Sequence, residues 1–323
     1  MTTPQIVILD GATLNPGDNP WTEIEALGEV EVFADSTPEQ TAERLAGATI
    51  AITNKVFLGR ELLQCLPDLK FVAVTATGYD CVDVAAAREL GIPVSNVPTY
   101  GTDSVSQFAF AQLLELCHRV SMHDDAVRKG RWQSFGSFSF WLTPQIELAG
   151  LTMGIIGFGR IGRRTGQLAD AFGMRVLAAD TWQHDPPDYA GFEWATTEQI
   201  AAESDVISLH CNLTDETRDI INASFLSKMK PSAFLINASR GPLVDEAALA
   251  AALNSDQIAG AASDVATKEP IHEDNPLLTA KNMLLTPHMA WSSLSARKRM
   301  TATTTANIRE FLAGSPQNVV NAE

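Results

Sequence analysis

The chain has 323 residues, long enough for two domains each with its own core. Its formal charge of -16 and pI near 4.7 argue against a nucleic-acid or anionic-membrane partner, because phosphates are held by clustered cations. Four cysteines, Cys65, Cys81, Cys117 and Cys211, show no paired spacing and read as reduced thiols of a cytoplasmic protein without a metal site, and no stretch is long enough to span a bilayer.

In chain order, short apolar runs over 6–9, 29–33, 50–53, 71–75 and 92–95 read as strands. Helical patterns over 21–27, 38–45 and 59–66 separate the first four. Strands alternating with helices imply a parallel sheet covered on both faces. A long helical stretch over 103–119 follows, opened by the capping chemistry of Gly101, Thr102 and Asp103. Beyond it the alternation resumes, with strands over 152–156, 175–179, 206–209, 233–237, 260–264 and 283–285 and helices over 161–172, 197–203 and 246–252. From Trp291 the pattern is one long helix and a tail returning to the first block. The expected organisation is one domain from 1–100 and 291–323, with a second, 101–290, inserted into it. The basic group Arg297, Lys298 and Arg299 reads as a solvated helix face.

The most specific local signal starts at Leu151, where Leu-Thr-Met-Gly-Ile-Ile-Gly-Phe-Gly-Arg-Ile-Gly places Gly157, Gly159 and Gly162 between a strand and a helix. Gly157 permits the sharp turn out of the strand, Gly159 a close approach of pyrophosphate, and Gly162 close helix packing. Arg160 and Ile161 open the helix, whose free N–H groups and positive dipole end face the phosphates, and belong to the same binding set. Asp180 ends the next apolar run at about the twenty-residue distance of a ribose-binding carboxylate. Its charge would repel a 2′-phosphate, so the cofactor expected is NAD.

Three further segments each follow an expected strand, at the edge where ligands bind in open α/β sheets. They are Ile236-Asn-Ala-Ser-Arg240-Gly-Pro, Ser263-Asp264-Val-Ala-Thr-Lys-Glu269-Pro270 and Leu285-Thr-Pro-His288-Met-Ala-Trp291. The guanidinium of Arg240 is suited to a substrate carboxylate.

In this order and rough spacing, the glycine loop and these three segments resemble the D-isomer-specific 2-hydroxyacid dehydrogenase family over essentially the whole chain. The similarity is strongest to its glycerate dehydrogenase (hydroxypyruvate reductase) branch, through Ala76-Thr-Gly78-Tyr-Asp, Asn96-Val-Pro-Thr-Tyr-Gly-Thr102, Phe140-Trp141 and His288-Met-Ala-Trp291. The resemblance implies an α/β protein with two doubly wound parallel-sheet domains, a Rossmann NAD-binding domain inserted into a flavodoxin-like substrate domain. It implies NAD-dependent reduction of a small 2-keto acid, hydroxypyruvate or glyoxylate first, by a homodimer. D-Lactate or another 2-hydroxy acid is the alternative, and an NAD-sensing binding protein a more distant one.

By the same carry-over His288 is the acid/base, Glu269 holds its other ring nitrogen, and Arg240 binds the carboxylate. Thr102, Cys211, Ala238 and Asp264 line the nicotinamide, Thr77, Gly78 and Tyr79 receive the substrate carboxylate, and Trp141 and Trp291 shape the pocket. Cys211 is expected to be a wall residue rather than a nucleophile. One departure stands out: Asn212 replaces a proline usual in the family.

Overall fold

Apolar runs of four or five residues without polar alternation are buried on both faces, as interior strands of a parallel sheet must be. The computed structural model describes residues 3–322. The chain divides into two units, Met1–Gly101 with Trp291–Glu323, and Thr102–Ala290.

The first unit carries strands β1 (Gln5–Ile8), β2 (Glu29–Val32), β3 (Ile50–Thr53), β4 (Phe71–Val74) and β5 (Val94–Ser95). They pair in parallel in the order β2-β1-β3-β4-β5, the flavodoxin-like arrangement. Strands β3 and β4 are wholly buried, whereas the edge strand β2 alternates Glu and Val and is largely exposed. The C-terminal helix Leu294–Leu312 completes this core: Phe311 stacks on Phe71 at 4.4 Å, and Met300 and Ile308 are buried with Ile6, Ile8 and Ile50. Asn321 then accepts from Val94 N–H and donates to the Ile92 carbonyl. Arg297 departs from the solvated face expected of it. It is 6% exposed, with its guanidinium on the Asp18 carboxylate (2.5 and 2.8 Å) and the Leu14 carbonyl.

The second unit carries β6 (Thr152–Ile156), β7 (Arg175–Ala179), β8 (Phe192–Trp194), β9 (Val206–Leu209), β10 (Phe234–Asn237), β11 (Gly260–Ser263) and β12 (Met283–Leu285). All pair in parallel, in the order β12-β11-β10-β9-β6-β7-β8. From β6 the chain winds outward through β7 to β8, then returns to β9 on the other side and winds out to β12. The carboxyl ends of β6 and β9 therefore flank the topological switch point, where doubly wound sheets bind their ligands. Helix Thr102–His118 packs with helix Arg160–Ala171 on one face, and Phe110 stacks on Phe172 at 5.2 Å.

Several elements lie outside the sequence reading: β8 and helices Val84–Glu89, Val120–Arg128, Arg131–Phe135 and Ala223–Leu226. Arg119, with φ 47°, breaks the long helix, and Val120–Arg128 continues without burying a side chain. No helix among the described residues is long and apolar enough to cross a membrane.

Candidate active site

Because every strand of the second sheet runs the same way, the loops after β6, β9, β10, β11 and β12 emerge at one edge of this unit. Gly157 leaves β6 with φ +91°, and a Cβ there would overlap the backbone N of Cys211 after β9. The two loops of the switch point are thus in backbone contact, and a side chain at Gly157 would separate them. At Gly162 a Cβ would overlap the Gly157 carbonyl, so the helix Arg160–Ala171 starts tight against the strand end.

Gly159 differs: a Cβ there meets nothing within 4 Å. Protein packing does not demand glycine at this position. The open space lies at the N-cap of a twelve-residue helix, flanked by exposed Arg160 and half-buried Ile161, where backbone N–H groups point outward. An open, donor-lined space of this kind has the shape and polarity that suit a dinucleotide pyrophosphate. Asp180, directly after β7, accepts from Phe158 N–H at 2.6 Å through Oδ2 and from Trp182 N–H at 3.0 Å through Oδ1. The acid is thereby fastened to the glycine loop.

The wall after β9 is neutral. Burial pushes the Cys211 thiol up to about 11 and the neighbouring His210 imidazole down to about 4, and His210 Nε2 lies 2.9 Å from Ser208 Oγ. A protonated thiol is no nucleophile, in keeping with a wall role. Asn212, exposed in the same loop, has its carbonyl on the Thr217 hydroxyl at 2.7 Å.

After β10, Ala238, Ser239 and Arg240 are half-buried. Asn237 Nδ2 donates to the Arg240 carbonyl, and Arg240 Nη1 to the Ser239 carbonyl, both at 2.9 Å. A Cβ on Gly241 would overlap the Ala266 carbonyl, so the arginine loop lies directly against the loop after β11. There Ala266 N–H donates to Glu269 Oε1 at 3.0 Å, and Glu269 Oε2 meets His288 Nδ1 at 2.7 Å. Arg240, Glu269 and His288 therefore stand on three consecutive parallel-strand loops.

Asp264 holds the histidine loop. It is 1% exposed, and its carboxylate takes the Thr286 hydroxyl (2.6 Å) and the N–H groups of Met289 (2.9 Å) and Ala290 (2.7 Å). Its own carbonyl takes His288 N–H at 2.7 Å. Burial pushes the Asp264 carboxyl above its ordinary range, opposed by these same donors. His288 adopts φ 51°, a left-handed conformation that this set of bonds enforces. Thr286, Gly241 and Phe158 escaped the sequence reading as working parts, although the Thr-Pro-His and Arg-Gly-Pro triplets contain two of them.

Of the remaining candidates, Thr102 and Trp141 belong to this unit, and Thr77, Gly78, Tyr79 and Trp291 to the first. Thr102 opens the helix Thr102–His118, and Trp141 is 70% exposed. Within the first unit, Asn96 Nδ2 donates to the Thr77 carbonyl and Thr77 Oγ1 to the Val97 carbonyl, anchoring the turn through Gly78 and Tyr79. Trp291 packs on that unit's core.

A doubly wound sheet with a glycine cradle, a ribose-side acid and a His–Glu pair beside an arginine defines a dinucleotide-dependent oxidoreductase. Residues 110–290 match the D-isomer specific 2-hydroxyacid dehydrogenase NAD binding domain. The chain is 48% identical to a hydroxypyruvate reductase of Blautia hydrogenotrophica, over 98% of this chain and 99% of that one. It is 40% identical to a glycerate dehydrogenase of Methylorubrum extorquens, over 99% and 100%. Among solved structures, an acyclic imino acid reductase in complex with NADPH and D-Arg superposes with a TM-score of 0.85 at 32% identity, covering 98% of this chain and 99% of that one. The chain belongs to the D-isomer-specific 2-hydroxyacid dehydrogenase family, oxidoreductases acting on CH–OH donors.

Proposed function

We propose that the protein reduces hydroxypyruvate or glyoxylate to the D-2-hydroxy acid, with NADH as reductant. The observation that carries this reading is the 2.7 Å contact of His288 Nδ1 with Glu269, on the loop next to Arg240. An imidazole that donates through Nδ1 to a carboxylate keeps its other nitrogen for the substrate oxygen. His288 Nε2 then supplies the proton that the developing alkoxide takes up, and in the reverse direction removes it. The bound nicotinamide supplies the hydride. Arg240 pairs with the substrate carboxylate, and its charge favours the build-up of negative charge on the adjacent keto oxygen.

The reading assigns Thr77, Gly78, Tyr79, Trp141 and Trp291 to the substrate, and Thr102, Cys211, Ala238 and Asp264 to the nicotinamide. Residues 101–290 are the NAD-binding domain, and 1–100 with 291–323 the substrate domain. The similarity to a hydroxypyruvate reductase and a glycerate dehydrogenase supports the choice of acid. Asp180 supports NAD: its carboxylate is fixed on the glycine loop by Phe158 N–H, where it receives ribose hydroxyls and repels a 2′-phosphate.

Four free thiols support residence in the reducing cytoplasm. The exposed rings of Trp132, Phe135, Phe138 and Trp141 support a homodimer. The experiment is a panel of hydroxypyruvate, glyoxylate, pyruvate and longer 2-keto acids with NADH or NADPH, following loss of the reduced cofactor by its absorbance. Fastest turnover with NADH on one of the first two acids is the expected result. Absence of turnover on every acid would remove the reading.

A further inference from the structure

Beyond Asp180 the chain presents an aromatic pair that neither the glycine loop nor the His288 constellation uses. Trp182 is 71% exposed, yet its ring is stacked on the imidazole of His184 at 3.7 Å with 21° between the planes. The main-chain N–H of Trp182 donates to Asp180 Oδ1, and its main-chain carbonyl meets His184 Nδ1 at 3.1 Å. Arg163, in the helix behind the glycine loop, clamps the far side. Its Nη1 donates to the Asp185 carbonyl and its Nη2 to the His184 carbonyl, both at 2.6 Å, while its guanidinium lies 5.1 Å over the ring of Phe158. Phe158 N–H closes the circuit on Asp180 Oδ2. A chain of contacts thus runs from Phe158 through Asp180, Trp182, His184 and Arg163 back to Phe158.

A large indole facing water is unfavourable unless something covers it, and here it is held in advance rather than left to fold away. It stands two residues from the carboxylate that suits a ribose. The group joined to that ribose in a dinucleotide is a purine, whose flat face stacks on an aromatic side chain. The geometry points to Trp182, backed by His184, as the stacking platform for the adenine ring of the cofactor. The inference rests on the dinucleotide reading of the glycine loop. Trp182 is a binding residue in this scheme, and His184 and Arg163 position it.

Probes that divide the cofactor test it. Trp182→Ala should weaken both NADH and ADP-ribose about tenfold, measured by calorimetric titration, because both carry adenine. It should leave the KM for reduced nicotinamide mononucleotide, which lacks adenine, unchanged. Trp182→Phe should keep ADP-ribose within about threefold of wild type, since a smaller ring still stacks. ADP-ribose should also quench tryptophan emission in the wild type, and that quench should vanish in Trp182→Phe. Unchanged ADP-ribose binding by Trp182→Ala, or an equal loss with the mononucleotide, overturns the platform while the wild type still binds NADH. Failure of the wild type to bind either NADH or ADP-ribose would instead bring down the dinucleotide reading on which it rests.

Discussion

His288 Nδ1 and Glu269 Oε2 are 2.7 Å apart, although the residues are 19 positions apart and reach one another from loops after different strands. The carboxylate fixes both the tautomer and the orientation of the ring. Replacing Glu269 by Gln keeps a hydrogen-bonding atom but removes the charge that stabilises a protonated ring. In Glu269→Gln, kcat is expected to fall about ten- to a hundredfold with the NADH Kd unchanged. His288→Ala removes the proton donor itself, and kcat should fall by on the order of a hundredfold or more. Steady-state kinetics with a parallel NADH titration separates both effects from lost cofactor binding.

The glycines of the loop make a second, internally controlled prediction. Gly157 needs a left-handed φ of +91° and has the Cys211 backbone where a Cβ would go. Gly157→Ala should cost about 2 kcal/mol or more of unfolding free energy, read by urea denaturation. Gly159 has open space instead, so Gly159→Ala should fold with stability within about 0.5 kcal/mol of wild type. It should nevertheless bind NADH at least about tenfold more weakly, because the methyl stands in the pyrophosphate's place. Similar losses of stability in both variants would contradict this division of roles.

That contrast marks what a linear reading can reach. The three glycines, Asp180 and the Arg240, Glu269 and His288 segments are local words, each tied to a strand end, and a parallel sheet carries strand ends to one edge. The strands themselves were legible because runs such as Ile50–Thr53 and Val206–Leu209 are apolar without interruption. Phe192–Trp194 was not, since three residues with an exposed Glu193 in the middle carry too little pattern. The helix Val120–Arg128 buries nothing and gives periodicity no core to report. The reason for Gly241 was hidden too, because it lies in the Ala266 backbone, which reaches it only through the pairing of β10 with β11. Arg297 read as surface because its partner Asp18 lies at the other end of the chain.

Burial of His210 predicts acid sensitivity. Its imidazole is pushed down to about 4 in the folded protein, against about 6.5 in an unfolded chain. Between these values the unfolded state binds the extra proton, so stability rises with pH. This group's contribution is complete above about pH 6.5, declines as pH falls toward 4, and is constant below that. From pH 7.5 to pH 5 the loss is on the order of 2 kcal/mol. In His210→Gln the drop between those two pH values, measured by urea unfolding, should be smaller by about that amount. An identical drop in wild type and variant would show that His210 is not the group responsible.

Asp264 makes the histidine loop a single unit with β11. Its two oxygens serve three donors, the Thr286 hydroxyl and Met289 N–H on Oδ1 and Ala290 N–H on Oδ2. An amide has one acceptor where the carboxylate has two. In Asp264→Asn an NH2 group must therefore face a backbone N–H, at a side chain almost wholly out of water. The expected cost is about 1 to 3 kcal/mol of stability, because a buried donor loses its partner. The same substitution loosens the Met289 and Ala290 N–H anchors directly after the left-handed turn at His288, leaving only the bond from His288 N–H to the main-chain carbonyl of residue 264. Loss of activity should therefore exceed what partial unfolding explains: at a temperature where Asp264→Asn is fully folded by circular dichroism, kcat/KM should still be down about tenfold or more. Thr286→Val removes the hydroxyl, which donates to Asp264 and accepts from Gln112 Nε2, but leaves both N–H bonds to the carboxylate, so its kcat/KM should fall several times less. If Thr286→Val is as impaired as Asp264→Asn, the hydroxyl rather than the backbone clasp fixes the histidine.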